Sequence, residues 1–170
     1  MTHLPLRQLK LRPGEEYRDT IDVELSSLEL AGERYLPVPS TVPTGVVVTR
    51  TTSGTVMALS FDVRVHGPCF RCLDDASLDL EVRAREYQAL DPEGDPELMS
   101  EYVSDDVLDV SAWAHDALAL ALPDKILCRP DCAGLCPVCG KNLNVEPHTH
   151  EEEAVDPRWA ALAELKDQLE

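Results

Sequence analysis

The sequence predicts an α+β fold: an antiparallel sheet of four or more strands, built on a hairpin and covered by a helix, followed by a small zinc-knuckle tail and a C-terminal helix. Three observations carry this expectation. Residues 46–65 alternate with the two-residue period of a half-buried hairpin, residues 111–121 are rich in helix formers and stop at Pro123, and Cys128, Cys132, Cys136 and Cys139 crowd into one short run. At 170 residues the chain can hold one core and an appendage. We expect a core domain over 1–124, a cysteine-rich segment over 125–150, and an acidic linker with an amphipathic helix over 151–170.

Each element has a local cause. Residues 1–13 lack alternation and close on the turn Pro13-Gly14. Ile21, Val23 and Leu25 recur at period two and read as a strand, with Leu28 and Leu30 as a short continuation. Pro37, Pro39 and Pro43 then break the pattern, so a loop of about ten residues is expected there. The β-branched run from Val46 leads through Thr52-Ser53-Gly54-Thr55 into a second strand. In that strand Phe61, Val63 and Val65 share one face, and Asp62, Arg64 and His66 share the other. Leu78, Leu80 and Val82 begin a further strand, running to about Leu90. Residues 91–106, with Pro92, Gly94, Pro96 and many acids, read as a flexible insertion. Ser111 is the expected N-cap of the covering helix. At the end of the chain, Asp156 and Pro157 start a helix with Trp159, Leu162, Leu165 and Leu169 on one face. Only 5% of residues are aromatic, so the core must be packed mainly from Val, Leu and Ala.

The net charge of -17 argues against wrapping nucleic acid over the whole surface. Its distribution is uneven. Residues 74–109 hold 13 acidic side chains against Arg83 and Arg85, whereas residues 1–13 hold Arg7, Lys10 and Arg12 with no acid. Such segregation permits a local phosphate-contacting face while the acidic remainder repels other polyanions or recruits a basic protein. No window approaches the ~20 apolar residues needed to span a bilayer, and no leader pattern is evident, so a cytoplasmic protein without a membrane partner is expected.

In a reducing compartment, thiols this dense favour metal over disulfides, with Zn2+ as the default ion. The strongest single signal is Cys136-Pro-Val-Cys139-Gly140, whose gap and glycine let backbone amides curl toward both sulfurs. Three ligand sets compete. The leading one is self-contained: Cys128, Cys132, Cys136 and Cys139. A second joins Cys69 and Cys72 to Cys136 and Cys139, and a third joins His148 and His150 to Cys136 and Cys139. Four cysteine ligands leave no open position for water, so the metal would be structural. No phosphate loop, HExxH helix or GxSxG elbow is present, and neither an enzyme nor a small-molecule substrate is expected.

The segment Leu11-Arg12-Pro13-Gly14, the motif Cys69-Phe-Arg-Cys72 after a strand, and the run from Cys132-Ala-Gly-Leu-Cys136 to Asn144 carry a likeness. With Asp156-Pro-Arg158 before a leucine helix, they resemble the YceD family of large ribosomal RNA subunit accumulation proteins. The resemblance covers nearly the whole chain. It implies a bacterial, non-enzymatic ribosome biogenesis factor supporting synthesis, processing or accumulation of large-subunit rRNA or its precursor. One departure is notable: His148-Thr-His150 stands where relatives often place Cys-x-Cys, which strengthens the third ligand set. Members lacking the second cysteine run are also expected, so the metal would act as a stabiliser.

On this reading, Arg7, Lys10, Arg12, Arg71, Arg129 and Lys141 are the candidate phosphate contacts along one basic edge. The alternative is a zinc-stapled, acidic interaction module that holds a basic ribosomal protein and does not bind RNA directly.

Overall fold

In the computed structural model, which describes residues 2–91 and 95–150, nine strands precede one α-helix among the described residues. They are β1 (His3–Pro5), β2 (Glu16–Glu24), β3 (Leu28–Leu30), β4 (Glu33–Val38), β5 (Thr41–Arg50), β6 (Gly54–Pro68), β7 (Asp75–Ala89), β8 (Val103–Ser104), β9 (Val107–Asp109) and α1 (Val110–Ala121). The chain divides into two units, Met1–Cys132 and Ala133–Glu170.

The first unit is organised around β6. One edge of this strand pairs with β7 along its whole length, from Gly54 opposite Ala89 to Pro68 opposite Asp75. Its other edge is shared: β5 covers the first half and β4 the second. β2 lies outside β5, β3 lies outside β4, and all pairs are antiparallel. A smaller sheet of order β1-β9-β8 completes the unit. The expected face assignment holds, with Phe61, Val63 and Val65 buried and Asp62, Arg64 and His66 exposed. Period-two sequence lets a strand bury one face while the other stays hydrated.

Helix α1 packs against β7, β2 and β1 and buries Val110, Trp113, Ala114, Ala117 and Leu118. Each large side chain so buried stabilises the fold by about 1.5–3 kcal/mol. The cap is Asp109, whose carboxylate accepts a hydrogen bond from the Ala112 amide at 3.0 Å. Ser111, the expected cap, instead accepts one from the Thr2 amide at 2.7 Å and ties the N-terminus to the helix.

Several expectations are corrected. The prolines at 37, 39 and 43 do not open a ten-residue loop. Pro37 and Pro43 lie inside β4 and β5, and the turn between these strands carries a cis Val38–Pro39 bond. β3 has already ended when β4 reaches Pro37, and proline is tolerated where one edge asks for no ladder bond. Residues 1–13 contribute β1, which pairs with β9, a partner too distant in sequence to leave a local signal. The insertion expected over 91–106 does not extend through residues 100–106. Ser100 is buried, its amide donates to Gln88 Oε1 at 2.9 Å, and β8 begins at Val103. The core runs past residue 124 to Cys132, because Ile126 and Cys132 belong to its buried cluster. The terminal helix expected from Asp156 lies outside the described residues. No helix among the described residues is long and apolar enough to cross a membrane.

Candidate metal centres

The six cysteines and two of the histidines form two groups of four, one in each unit. In the first unit β6 ends at Pro68, and the chain turns through Cys69 and Cys72 before β7. The Cys69 amide donates to the Asp74 carbonyl at 2.7 Å, and Leu73 takes a left-handed conformation with φ 63°. Beneath this turn, Gly67 approaches Tyr35 so closely that an added Cβ would lie 2.4 Å from the ring, and the Tyr35 hydroxyl donates to the Pro68 carbonyl at 2.7 Å. After α1 the chain returns along the same turn: the Phe70 amide donates to Ile126 at 2.8 Å and Arg71 Nη1 donates to the Cys132 carbonyl at 2.7 Å. These contacts bring Cys128 and Cys132 to Cys69 and Cys72.

Sulfur separations test the fit of an ion. Cys69 Sγ lies 3.8 Å from Cys132 Sγ, and Cys72 Sγ lies 3.6 Å from Cys128 Sγ. The edge of a tetrahedron with Zn–S bonds of ~2.3 Å is about 3.8 Å, which these two edges match, and all four sulfurs lie within 4.8 Å of one another. Cys69, Cys72 and Cys132 are buried and Cys128 is exposed. Burial opposes the Cys69 thiolate, but the amides of Cys128, Cys72 and Arg71 outweigh it and bring the thiol down to about 6. Burial pushes Cys72 upward. One thiolate cannot neutralise its neighbours, and a divalent cation relieves the cost of ionising the rest.

The second group, Cys136, Cys139, His148 and His150, is built by a knuckle. The Gly140 amide donates to the Cys136 carbonyl at 2.9 Å, and Gly140 holds φ 72°, a conformation that glycine adopts without a Cβ clash. The Cys136 amide donates to Lys141 at 2.8 Å, and the Leu143 amide donates to Gly134 at 2.9 Å, closing the loop. The Cys139 amide, acting with that of Val138 against burial, lowers the Cys136 thiol to about 6. His148 Nδ1 lies 2.8 Å from the Glu146 carbonyl. A carbonyl only accepts, so Nδ1 carries a proton, and in the neutral form that a metal binds the Nε2 lone pair faces Cys139 Sγ, 3.1 Å away. The Glu146 carbonyl, then Cys136, raises His148 above the usual imidazole value. The His148 and His150 rings meet edge to face at a centroid distance of 4.9 Å.

The leading ligand set is therefore divided: Cys128 and Cys132 fall in the first group, Cys136 and Cys139 in the second. The second set, which joined Cys69 and Cys72 to Cys136 and Cys139, is divided likewise. The third set coincides with the second group. Missing from all three was the grouping of Cys69 and Cys72 with Cys128 and Cys132. Six thiols and two imidazoles are eight donors, the number two tetrahedral ions require, and that count could have pointed to it.

The basic candidates do not form one edge in the first unit. Arg71 and Arg129 lie at the cysteine loops, where Arg71 binds the Cys132 carbonyl and Arg129 lies 3.6 Å from Asp131. Arg7 pairs with Asp106 and shares a cleft with Lys10, while the Arg12 amide donates to Glu15. Lys141, in the second unit, pairs with Glu146 at 2.9 Å.

Comparison with known proteins adds the family. A family model described as "Large ribosomal RNA subunit accumulation protein YceD" matches residues 57–166, a span that contains all eight donors. An uncharacterized protein of Mycobacterium tuberculosis (strain ATCC 25618 / H37Rv) is 39% identical over 174 residues, covering 94% of this chain and 79% of that relative. A Mycobacterium leprae (strain TN) protein, also uncharacterized, is 32% identical over 65% of this chain and 56% of its own. The uncharacterized protein YlbN of Bacillus subtilis (strain 168) is 30% identical over 65% of this chain and 67% of its own. No solved structure matches. With the family match spanning most of the chain, from near the start of β6 past both ligand groups, this protein belongs to the YceD family of large ribosomal RNA subunit accumulation proteins.

Proposed function

We propose that this chain is a non-enzymatic ribosome biogenesis factor of the bacterial cytoplasm that supports accumulation of large-subunit rRNA, with one Zn2+ in each cysteine group. The family match over residues 57–166 is the observation that carries the ribosomal reading. What supports a structural metal is that each group offers four protein donors, a complete tetrahedral shell with no position for a reacting water. Cys69, Cys72, Cys128 and Cys132 would staple the segment after α1 to the end of β6. Cys136, Cys139, His148 and His150 would fix a knuckle too short and polar to bury a core of its own.

The test is genetic. In a bacterium whose own family member is deleted, this chain restores the ratio of large- to small-subunit rRNA. An unchanged ratio on deletion, or no restoration by a well-expressed chain, would overturn the reading. The adapter alternative draws support from the acidic residues 74–109. It predicts co-purification with a basic ribosomal protein that survives ribonuclease.

A further inference from the structure

We infer that a cleft at the hairpin end of the sheet is an RNA-phosphate site, in which Lys10, Arg50 and Arg7 hold the backbone and Asp106 accepts a ribose 2′-hydroxyl. This deepens the proposed function and rests on its RNA reading. The cleft has a volume of about 400 Å3 and lies between the turn at Leu6–Leu9 and the inward ends of β5 and β6. Three cations meet one carboxylate there, in a chain whose net charge is -17. Local inversion of charge against so strong a background marks a place where a polyanion can approach.

Two of the cations come from one turn and the third from the end of β5. Arg7 lies on the first turn. Lys10 caps that turn in a left-handed conformation, φ 49°, and Asp106, whose carbonyl accepts from the Leu6 amide at 2.8 Å, is also left-handed at φ 59°. Both conformations carry a steric cost for residues with a Cβ, and both aim their side chains from tight bends. Arg50 ends the core-facing side of β5 and is held in place. Its carbonyl accepts from Gly14 at 2.8 Å, its amide donates to Glu15 at 3.0 Å, and its Nη1 donates to the buried Thr55 hydroxyl at 2.7 Å. The remaining guanidinium hydrogens are thereby presented in a fixed fork, the geometry that suits a phosphate.

Neutralisation distinguishes this cleft from the paired arginines of the outer sheet face. On the outer sheet face Arg18 is paired with Glu16, Arg83 with Glu81 and Arg64 with Asp79. Among the described residues, Lys10 and Arg50 have no carboxylate within ion-pair distance. Arg7 binds Asp106 Oδ2 at 2.5 Å, which leaves Oδ1 as an acceptor. Phosphates alone do not distinguish RNA from DNA, but a carboxylate acceptor beside them favours the chain that has a 2′-hydroxyl donor. Leu6, Leu11 and Leu90 give the ribose an apolar wall.

The experiment measures binding of the zinc-loaded full chain to fragments of large-subunit rRNA, and to DNA of the same sequence, across a salt series. Lys10→Ala/Arg50→Ala is expected to weaken RNA binding at least about tenfold and to flatten the salt slope by about two units, one per lost phosphate contact. Arg18→Ala/Arg83→Ala, which removes the same charge from the outer face, should leave affinity near the parent value. Asp106→Asn should narrow the preference for RNA over DNA. Thermal midpoint and zinc content establish that each variant is folded. If the parent binds RNA and the Lys10/Arg50 variant binds with the same affinity and slope, the cleft is overturned while the ribosomal reading stands. If the parent binds no RNA at any salt, the cleft is overturned as well, and restoration of rRNA levels then decides the function separately.

Discussion

Arg71 Nη1 donates a hydrogen bond to the Cys132 carbonyl at 2.7 Å, across 61 residues of chain. A side chain that reads in sequence as a phosphate contact thus makes an intramolecular bond that clamps two halves of one ligand group, while the residue itself stays exposed. Arg71→Ala should lower the thermal stability of the zinc-loaded protein by about 1 kcal/mol, the net worth of such a bond. RNA affinity should be unchanged. A large loss of RNA binding at unchanged stability would reassign Arg71 to the interface.

Metal content should be two zinc ions per chain. Native mass spectrometry of Cys69→Ser/Cys72→Ser should find one ion, and of His148→Ala/His150→Ala again one. Cys132→Ser and Cys136→Ser should each lose a different ion, and the double variant both. A parent chain carrying a single ion that either variant removes would restore the compact set from Cys128 to Cys139.

The two ions should leave at different rates. Three of the four donors in the first group are buried, whereas Cys139 and His150 in the second are exposed. A competing chelator therefore strips the second centre first, and ligand access sets the order. A colorimetric zinc assay should show two phases, the faster one absent from His148→Ala/His150→Ala. A single phase in the parent would contradict this.

Gly67→Ala should destabilise the first unit by about 3 kcal/mol, because the new methyl group must displace the Tyr35 ring from a packed position. Tyr35→Phe removes only the hydroxyl bond to Pro68 and should cost about 1 kcal/mol. Urea unfolding of the zinc-loaded chain measures both. Equal effects would mean that the ring can shift freely.

Arg64 donates Nε and Nη2 hydrogen bonds to Asp79 directly across the β6–β7 ladder, at 2.7 and 3.0 Å, and this holds the Asp79 carboxyl below its usual value. A depressed carboxylate stabilises the fold above its unfolded pKa of about 3.9 and loses that contribution as pH falls through the lower folded value. Asp79→Asn should therefore lower the melting temperature slightly at neutral pH. The difference should close in acid, below about pH 4. Both groups are exposed, so the shift is small and salt should shrink it. A difference that grew in acid would reverse the sign.

Much of the sheet was legible in the sequence, because burial on one face writes itself as alternation. Phe61, Val63 and Val65 could be assigned to the core, and Asp62, Arg64 and His66 to water, from order alone. Pairing of β1 with β9 was not legible, since three residues at each end of a hundred-residue separation carry no period. The proline-bearing strands failed for a related reason: local chemistry says break, and only the neighbouring strands say which edge can spare a hydrogen bond.

For the candidate site, the sequence by itself supplied the candidate donor types and their knuckle spacings, because amide-to-sulfur geometry is set within a few residues. The partners of each knuckle were decided only by the tertiary structure. Cys69 and Cys72 sit at the end of β6, and it is the return of the chain after α1, anchored by buried Ile126, that brings Cys128 and Cys132 to them. Short spacing favoured four cysteines from one run. Packing divided them, because closing a loop of some sixty residues costs only slightly more than closing a short one, and the sheet and helix had already closed it.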